Sequence, residues 1–292
     1  MNVSHNPHLN ALLQAMSASI PDAVAASSVA IVVANRPFVR HLGSGTLLAV
    51  ADRRFVVTAA HVIRAAQTTV GISGGSDNNF IATAGKWHLS APSNEDKDDP
   101  FDVAVYPLEK SQTARLEGHT FLRIGDVSFE SDLSRAFFVV SGFPSIWSTE
   151  TREADDPMKL RPLQYSTCAY GGSTVALQGY DARYHVLLDA EPERIFDSSG
   201  SAMEFRTRSG YAAQMPQDLQ GISGCSVWMI GDLSIPCNHW RPDHARLVAV
   251  ETGVFPGRAA IKATRWNAVT TLLYSAFTDL HSTIELYENG QE

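Results

Sequence analysis

Between residues 29 and 107 the apolar residues come in short runs, divided by clusters of Gly, Asn, Asp and Pro. Residues 29–34, 45–50, 55–58, 68–72, 80–87 and 103–107 carry the β-branched and aromatic side chains that favour strands. Strands that short and that closely spaced predict a closed antiparallel barrel, with a turn of helix over 62–67. Strand signals then thin out between 109 and 134, apart from 121–124, which places a link there. They resume at 136–141, 160–168, 174–178, 184–189, 203–206, 227–230 and 247–251. The polar stretches 147–157 and 190–200 interrupt this second set and are expected as surface loops near its rim.

The period changes at both ends of the chain. Leu9, Leu12, Leu13 and Met16 follow Asn6-Pro7 at i, i+3, i+4 and i+7, which predicts a short amphipathic helix ending near Pro21. Trp266, Val269, Leu273, Phe277 and Leu280 predict a C-terminal helix with Thr264 as its N-cap, followed by a frayed tail. The expected organisation is an N-terminal appendage (1–27), a first barrel (28–120), a second barrel with the C-terminal helix (121–281) and a tail (282–292).

Three segments in this frame carry chemistry. Residues 221–226 read Gly-Ile-Ser-Gly-Cys-Ser and run straight into an apolar strand. A serine hydroxyl needs a base beside it and donors for the oxyanion it creates, and flanking glycines let the backbone turn its N–H groups toward one spot. Residues 56–62, Val-Val-Thr-Ala-Ala-His-Val, put His61 at the end of a β-branched run. Residues 101–105, Phe-Asp-Val-Ala-Val, put Asp102 at the start of another. The acids of 94–100, Asp98 and Asp99 among them, compete with Asp102 for the carboxylate role. Asp102 is preferred because the following strand would hold it rigid, as an imidazole-orienting carboxylate must be.

Together, and in the order His, Asp, Ser, these segments resemble the trypsin-like (chymotrypsin-fold) serine proteases. The resemblance covers about residues 28–280, and identifies the bacterial intracellular type. It implies an all-β chain of two six-stranded antiparallel β-barrels of the chymotrypsin type. It implies His61 as general base and acid, Asp102 as its orienting partner and Ser223 as nucleophile, with the N–H groups of Gly221 and Ser223 as oxyanion hole. Gln217, Asp218, Glu251, Thr252 and Gly253 would line the substrate pocket, where Asp218 and Glu251 leave room for a basic P1 residue. Ile222 stands where zymogen-activated relatives carry an aspartate, so no activating cleavage is expected. Cys225 and Ser226 replace the glycine and proline that usually follow the Ser-Gly pair.

The reading is that of a serine endopeptidase working through an acyl-enzyme on a protein or peptide substrate. A catalytically silent fold that binds a peptide or partner is the alternative, and an esterase on the same triad a third reading. Ser73, in Gly-Ile-Ser-Gly-Gly, is a rival serine, but it precedes Asp102 in the chain and leads into a turn. No cofactor is expected. Cys237, His239, Asp243 and His244 lack a standard zinc spacing, so no metal is expected either.

Charge and composition narrow the partners. The 292 residues are 44% hydrophobic with a formal net charge of −8, and no dense Lys/Arg stripe offers itself to nucleic acid. Residues 23–34 are too short and too serine-interrupted to span a bilayer, and no cation precedes Arg36 to begin a secretory signal. Three cysteines cannot all pair with one another, so reduced thiols in a cytoplasm are expected. A regulatory protein partner is a further expectation.

Overall fold

A computed structural model of the chain describes residues 7–35, 38–74, 79–91, 99–145, 151–152, 160, 162–175, 177–191, 195–197 and 219–289. Its first eight strands are β1 (Ser28–Asn35), β2 (Phe38–Val50), β3 (Arg53–Ala59), β4 (Thr69–Gly74), β5 (Asn79–Ala82), β6 (His88–Leu89), β7 (Val103–Pro107) and β8 (Leu122–Arg123). The remainder are β9 (Ala136–Gly142), β10 (Thr151–Arg152), β11 (Leu163–Cys168), β12 (His185–Asp189), β13 (Phe196–Asp197), β14 (Ser226–Asp232), β15 (Arg246–Phe255) and β16 (Ala260–Arg265). The helices are α1 (Pro7–Ala18), α2 (Ala23–Ala26), α3 (Ala60–Arg64), α4 (Lys110–Ala114), α5 (Trp266–Ala276) and α6 (His281–Asn289). None of them is long and apolar enough to cross a membrane.

Hydrogen bonding sorts the strands into two sheets. The first runs β5-β4-β1-β2-β3-β7-β6, with β8 and β10 also on β2; the second runs β12-β16-β15-β14-β9-β11-β13. Pairing is antiparallel except for β8, which lies parallel to β2. A single bridge between Ala169 and Leu188 brings the end of β11 against β12. The chain is thus mostly β, in two antiparallel sheets with helices at both ends, as the alternating pattern predicts.

Each sheet encloses its own apolar interior: Val29, Ile31, Val56, Ile72 and Tyr106 in the first, Phe138, Tyr165, Val227, Ala249 and Ile261 in the second. A third cluster joins them, in which Val57, Val103 and Val105 meet Val139, Trp228 and Val250. The terminal helices complete it, α1 through Leu13 and Met16 and α5 through Trp266, Val269 and Leu273. Such burial is worth about 1.5–3 kcal/mol for each large apolar side chain. The N-terminal helix therefore covers an apolar patch of its own chain.

Several expectations change. β2 is 13 residues long and starts at Phe38, seven residues before the predicted run. A register shift between Ile31 and Val32 lets the polar stretch around His41 stay in the sheet. Residues 174, 175, 177 and 178 form no strand, and 203–206 lie outside the described residues. Within 147–157, Thr151 and Arg152 pair with β2 of the first sheet rather than edging the second. β16 and α4 went unpredicted because Ala260–Arg265 is half polar and Lys110–Ala114 has no apolar period. The C-terminal helix breaks at Phe277, whose φ of −138° and ψ of 91° are extended, and its N-cap is Arg265. Of the tail expected to fray from 282 on, residues 282–289 belong to α6, which starts at His281.

Candidate active site

The pairing of β3 with β7 sets Thr58 opposite Ala104 and Ala59 opposite Val103, so the residues just beyond each strand meet. His61 lies in α3 directly after β3, and Asp102 lies directly before β7. Asp102 has a left-handed φ of +52°, a conformation that costs a non-glycine residue about 1–3 kcal/mol and is held only where its surroundings fix it. They do so tightly. The Ala60 N–H donates to the Asp102 carbonyl oxygen at 2.9 Å and the His61 N–H donates to Oδ1 at 2.8 Å. The ring contact is the shortest, with His61 Nδ1 at 2.6 Å from Asp102 Oδ2. A carboxylate at Nδ1 selects the tautomer with the proton there, which leaves the Nε2 lone pair free as a base.

The His61 side chain is 46% exposed, so a substrate can reach it. Burial on its inner side lowers its pKa, but the hydrogen bond and charge of Asp102 and the charge of Glu251 outweigh that, and of Lys262, to raise it above 6.5.

Behind this pair stands a buried ion pair that sequence reasoning missed. Asp99 Oδ2 accepts from Arg64 Nη2 at 2.7 Å, and Arg64 Nη1 also lies 3.7 Å from Asp102 Oδ1. Asp99 Oδ1 takes the N–H groups of Phe101 and Asp102, at 3.1 and 3.0 Å, and Ser90 Oγ donates to the same carboxylate. Burial would raise the Asp99 pKa, but the bonds from Ser90, Arg64 and the two amides lower it. Asp99 is thus no rival to Asp102 for the imidazole; it fixes the turn that presents Asp102. Asp98 lies outside the described residues.

The second sheet grips the same turn. Thr264 Oγ1 donates to the Phe101 carbonyl at 2.7 Å, which is where the expected N-cap side chain goes. His185 Nδ1 accepts the Asp181 N–H, so Nε2 carries the proton and donates to the Pro100 carbonyl at 2.7 Å.

Residues 221–226 sit beside this pair, held by Ser44 of β2. The Ser44 N–H donates to the Ser223 carbonyl at 2.8 Å, and Ser44 Oγ donates to the Gly221 carbonyl at 2.9 Å. Gly221 and Gly224 have φ of +99° and +91°. A Cβ on Gly224 would strike Thr58 Oγ1 and the Ser44 carbonyl, so only glycine lets the loop lie this close to the segment before His61. The N–H groups of Ile222, Gly224 and Cys225 are spent on Leu219, Glu251 and Ile222 carbonyls. Among the described residues no acceptor takes those of Gly221 and Ser223, the two amides singled out as the oxyanion hole. Buried His41 backs the loop, with Nε2 2.7 Å from the Gly43 carbonyl and Nδ1 3.3 Å from Ser145 Oγ, while the Ser145 N–H donates to Gln220. Burial lowers its pKa to about 4, against the weaker pull of the Gly43 bond, so it stays neutral.

Ser223 is half-buried. Among the described residues no hydrogen bond joins its Oγ to His61 Nε2; its hydroxyl lies against the Glu251 carboxylate, whose pKa it lowers. Glu251 is 1% exposed and Thr252 4%, and the Thr252 hydroxyl is 3.0 Å from that of Thr264. Of the pocket candidates, Gly253 alone keeps partial exposure, with Lys262 beside it; Gln217 and Asp218 lie outside the described residues. Ser73 is in β4, buried and paired with Ala30 and Phe80, away from these groups. Among the described residues no three His, Cys, Asp or Glu side chains gather as metal ligands. A charged residue inside the apolar run Leu-Val-Ala-Val-Glu was the one sequence signal that could have marked Glu251 for the site.

No protein-family model matches the chain, and no curated protein matches its sequence. Solved structures do resemble it in shape. The serine protease domain of Sesbania mosaic virus polyprotein is 14% identical over 84% of this chain and 91% of its own, with a TM-score of 0.43. A Glu endopeptidase in complex with MPD is 12% identical over 88% and 92%, with a TM-score of 0.46. The inactive form of Rv3671c protease is 16% identical over 93% and 96%, with a TM-score of 0.44. The function proposed below is carried by the residues of the site itself.

Proposed function

We propose that the chain is a serine endopeptidase of the trypsin-like type, with His61, Asp102 and Ser223 as its triad and the two sheets as its paired barrels. The observation that carries this is the 2.6 Å His61–Asp102 bond, lying beside a serine loop whose Gly221 and Ser223 amides meet no acceptor among the described residues. Asp102 holds the proton on Nδ1, so Nε2 takes the hydroxyl proton as Ser223 Oγ bonds to the peptide carbonyl carbon. The carbonyl electron pair becomes an oxyanion facing the two amides, and each such donor is worth about 10²–10³-fold. Protonated His61 then gives its proton to the leaving amine, and water repeats the cycle on the acyl-enzyme.

Ile222 supports activity without cleavage. It is 1% exposed and packs among Leu219, Cys225 and Val227, so burial anchors the loop where an ion pair would otherwise do so. The three free cysteines suit a reducing cytoplasm. Control would then come from a protein partner rather than from a cut.

The missing Ser223–His61 hydrogen bond favours a second reading, a peptide-binding module without turnover. A fluorophosphonate probe on the intact, uncut chain separates the two. Covalent labelling that maps to Ser223, and that Ser223→Ala and His61→Ala abolish, is the expected result. An unlabelled chain that still binds peptides leaves the binding module. Labelling only after proteolytic trimming would sink the claim that no cleavage is needed.

A further inference from the structure

Glu251 is tied by its backbone to the two residues that follow the nucleophile candidate in the serine loop. The Gly224 N–H donates to its carbonyl at 2.8 Å, and its own N–H donates to the Cys225 carbonyl at 3.0 Å. The β15–β16 register shifts between Glu251 and Gly253, so the strand bulges at this point. Glu251 is 1% exposed with its carboxylate against the Ser223 hydroxyl, and its Oε2 is buried with no hydrogen-bond partner among the described residues. A buried carboxylate oxygen left unpaired inside a central strand costs stability, so the residue is not there to hold the fold together.

We propose that Glu251 is a positioning residue of the active site, a second carboxylate that holds the Ser223 side chain and, opposite Asp102, sets the basicity of His61. The proposal rests on reading Ser223 as the nucleophile. Titratable groups from several elements act on the carboxylate through their charges. His61 comes from α3 and Asp102 from the turn before β7, while Cys225 comes from the serine loop and Tyr165 from β11. Lys262 of β16 acts on His61 from the far side.

Burial raises the Glu251 pKa to about 7, against His61, the Ser223 hydroxyl and the Gly253 N–H, with Asp102 adding to the rise. Its charge therefore changes near neutral pH, and because each charge acts on the other, Glu251 and His61 titrate as a coupled pair. Ionised, Glu251 holds the Ser223 O–H at rest, leaves the oxygen lone pairs free and keeps the imidazole basic, and the O–H turns to His61 Nε2 as attack begins. Protonated, it becomes a donor to Oγ and ties up a lone pair that attack requires. Ser223 thus gains reactivity through two ionisations.

Two measurements on the full chain test this. The first is the rate of fluorophosphonate labelling against pH, for wild type and Glu251→Gln. The wild-type acid limb should be steeper than one decade per pH unit; the variant should fall to one decade, with its midpoint at lower pH. The second is the NMR titration of the His61 ring, which needs no turnover and should move down by about half a unit or more in the variant. A labelled wild type with a one-proton limb, or a variant with unchanged profile and unchanged His61 midpoint, overturns the role of Glu251 and leaves the nucleophile standing. Failure of both chains to label overturns the nucleophile and the proposal with it.

Discussion

The two halves of the molecule bring their residues to the cleft by different physical means. In the first, the polar groups around the His61–Asp102 pair are matched to one another: Asp99 serves Arg64, Ser90 and two amides, and Asp102 serves His61 twice. Thr46 Oγ1 of β2 is an exception, buried without a hydrogen-bond partner among the described residues. In the second, position comes from backbone bonds, glycine contacts and packing. There Tyr165 Oη, Ser226 Oγ, Trp228 Nε1 and Glu251 Oε2 are all buried without hydrogen-bond partners among the described residues. The lesson is that the imidazole and its carboxylate sit in a fixed charge environment, whereas the serine loop keeps the Gly221 and Ser223 amides uncommitted among the described residues. Satisfying every donor in that loop would remove the groups that meet the substrate.

Removing one member of a matched network should therefore cost more than any comparable change in the other half. Asp99→Ala takes away the 2.7 Å ion-pair partner of buried Arg64 and frees the amides of the strained turn. Such loss costs about 3–5 kcal/mol. Urea unfolding should record it as a lower midpoint at an unchanged slope. A loss below about 1 kcal/mol would mean that the turn is held by the second sheet, through Thr264 and His185, rather than by this pair.

The next effect in size belongs to the second half and depends on pH. Glu251 has a folded pKa raised from 4.5 to about 7, mainly by burial. A raised carboxylate stabilises the fold fully below its unfolded value, and that contribution disappears as pH climbs through the folded value. At 1.36 kcal/mol per unit the change is roughly 3 kcal/mol. Unfolding of wild type and Glu251→Gln should be compared at pH 4.5 and at pH 8. Wild type should lose about that much relative to the variant across the interval. Parallel curves would show that the carboxylate is solvated when ionised.

The same contrast decides how much could be read from the sequence. His61 and Asp102 were legible because each caps a β-branched run, and the register of β3 with β7 brings the two run ends together. The serine loop was legible from its glycines. Asp99 was not, because a carboxylate in an acidic stretch looks solvated until Arg64 is found 2.7 Å away. Nor was Ser44, whose three hydrogen bonds to the serine loop and to Phe143 depend on tertiary approach alone. The antiparallel two-sheet plan follows from short apolar runs. Strand lengths do not, because β2 carries polar His41, Gly43 and Ser44 through the sheet by means of its bulge. β16 escaped notice because neighbours on both sides, β12 and β15, supply its stability and its own side chains need not.

The smallest effect gives the sharpest contrast, because it compares one atom in two matched places. Tyr106 and Tyr165 are each about fully buried, at 1% and 0% exposure, one inside each sheet. The Tyr106 hydroxyl accepts from the Gly85 N–H at 3.2 Å and from Gln112 Nε2 at 3.1 Å. The Tyr165 hydroxyl has no such partner, and burial pushes its pKa well up, so it remains a neutral, desolvated group. Tyr106→Phe takes an acceptor from the part-buried Gly85 N–H and from Gln112 Nε2, which keeps its 2.7 Å bond to the Ala82 carbonyl, and should cost about 0.5–1.5 kcal/mol. Tyr165→Phe removes a group that already bears its desolvation cost without return, so stability should hold or rise by up to about 1 kcal/mol. Equal losses at the two positions would mean that the second interior satisfies its polar atoms as the first does. The division between a matched half and an uncommitted half would then fail.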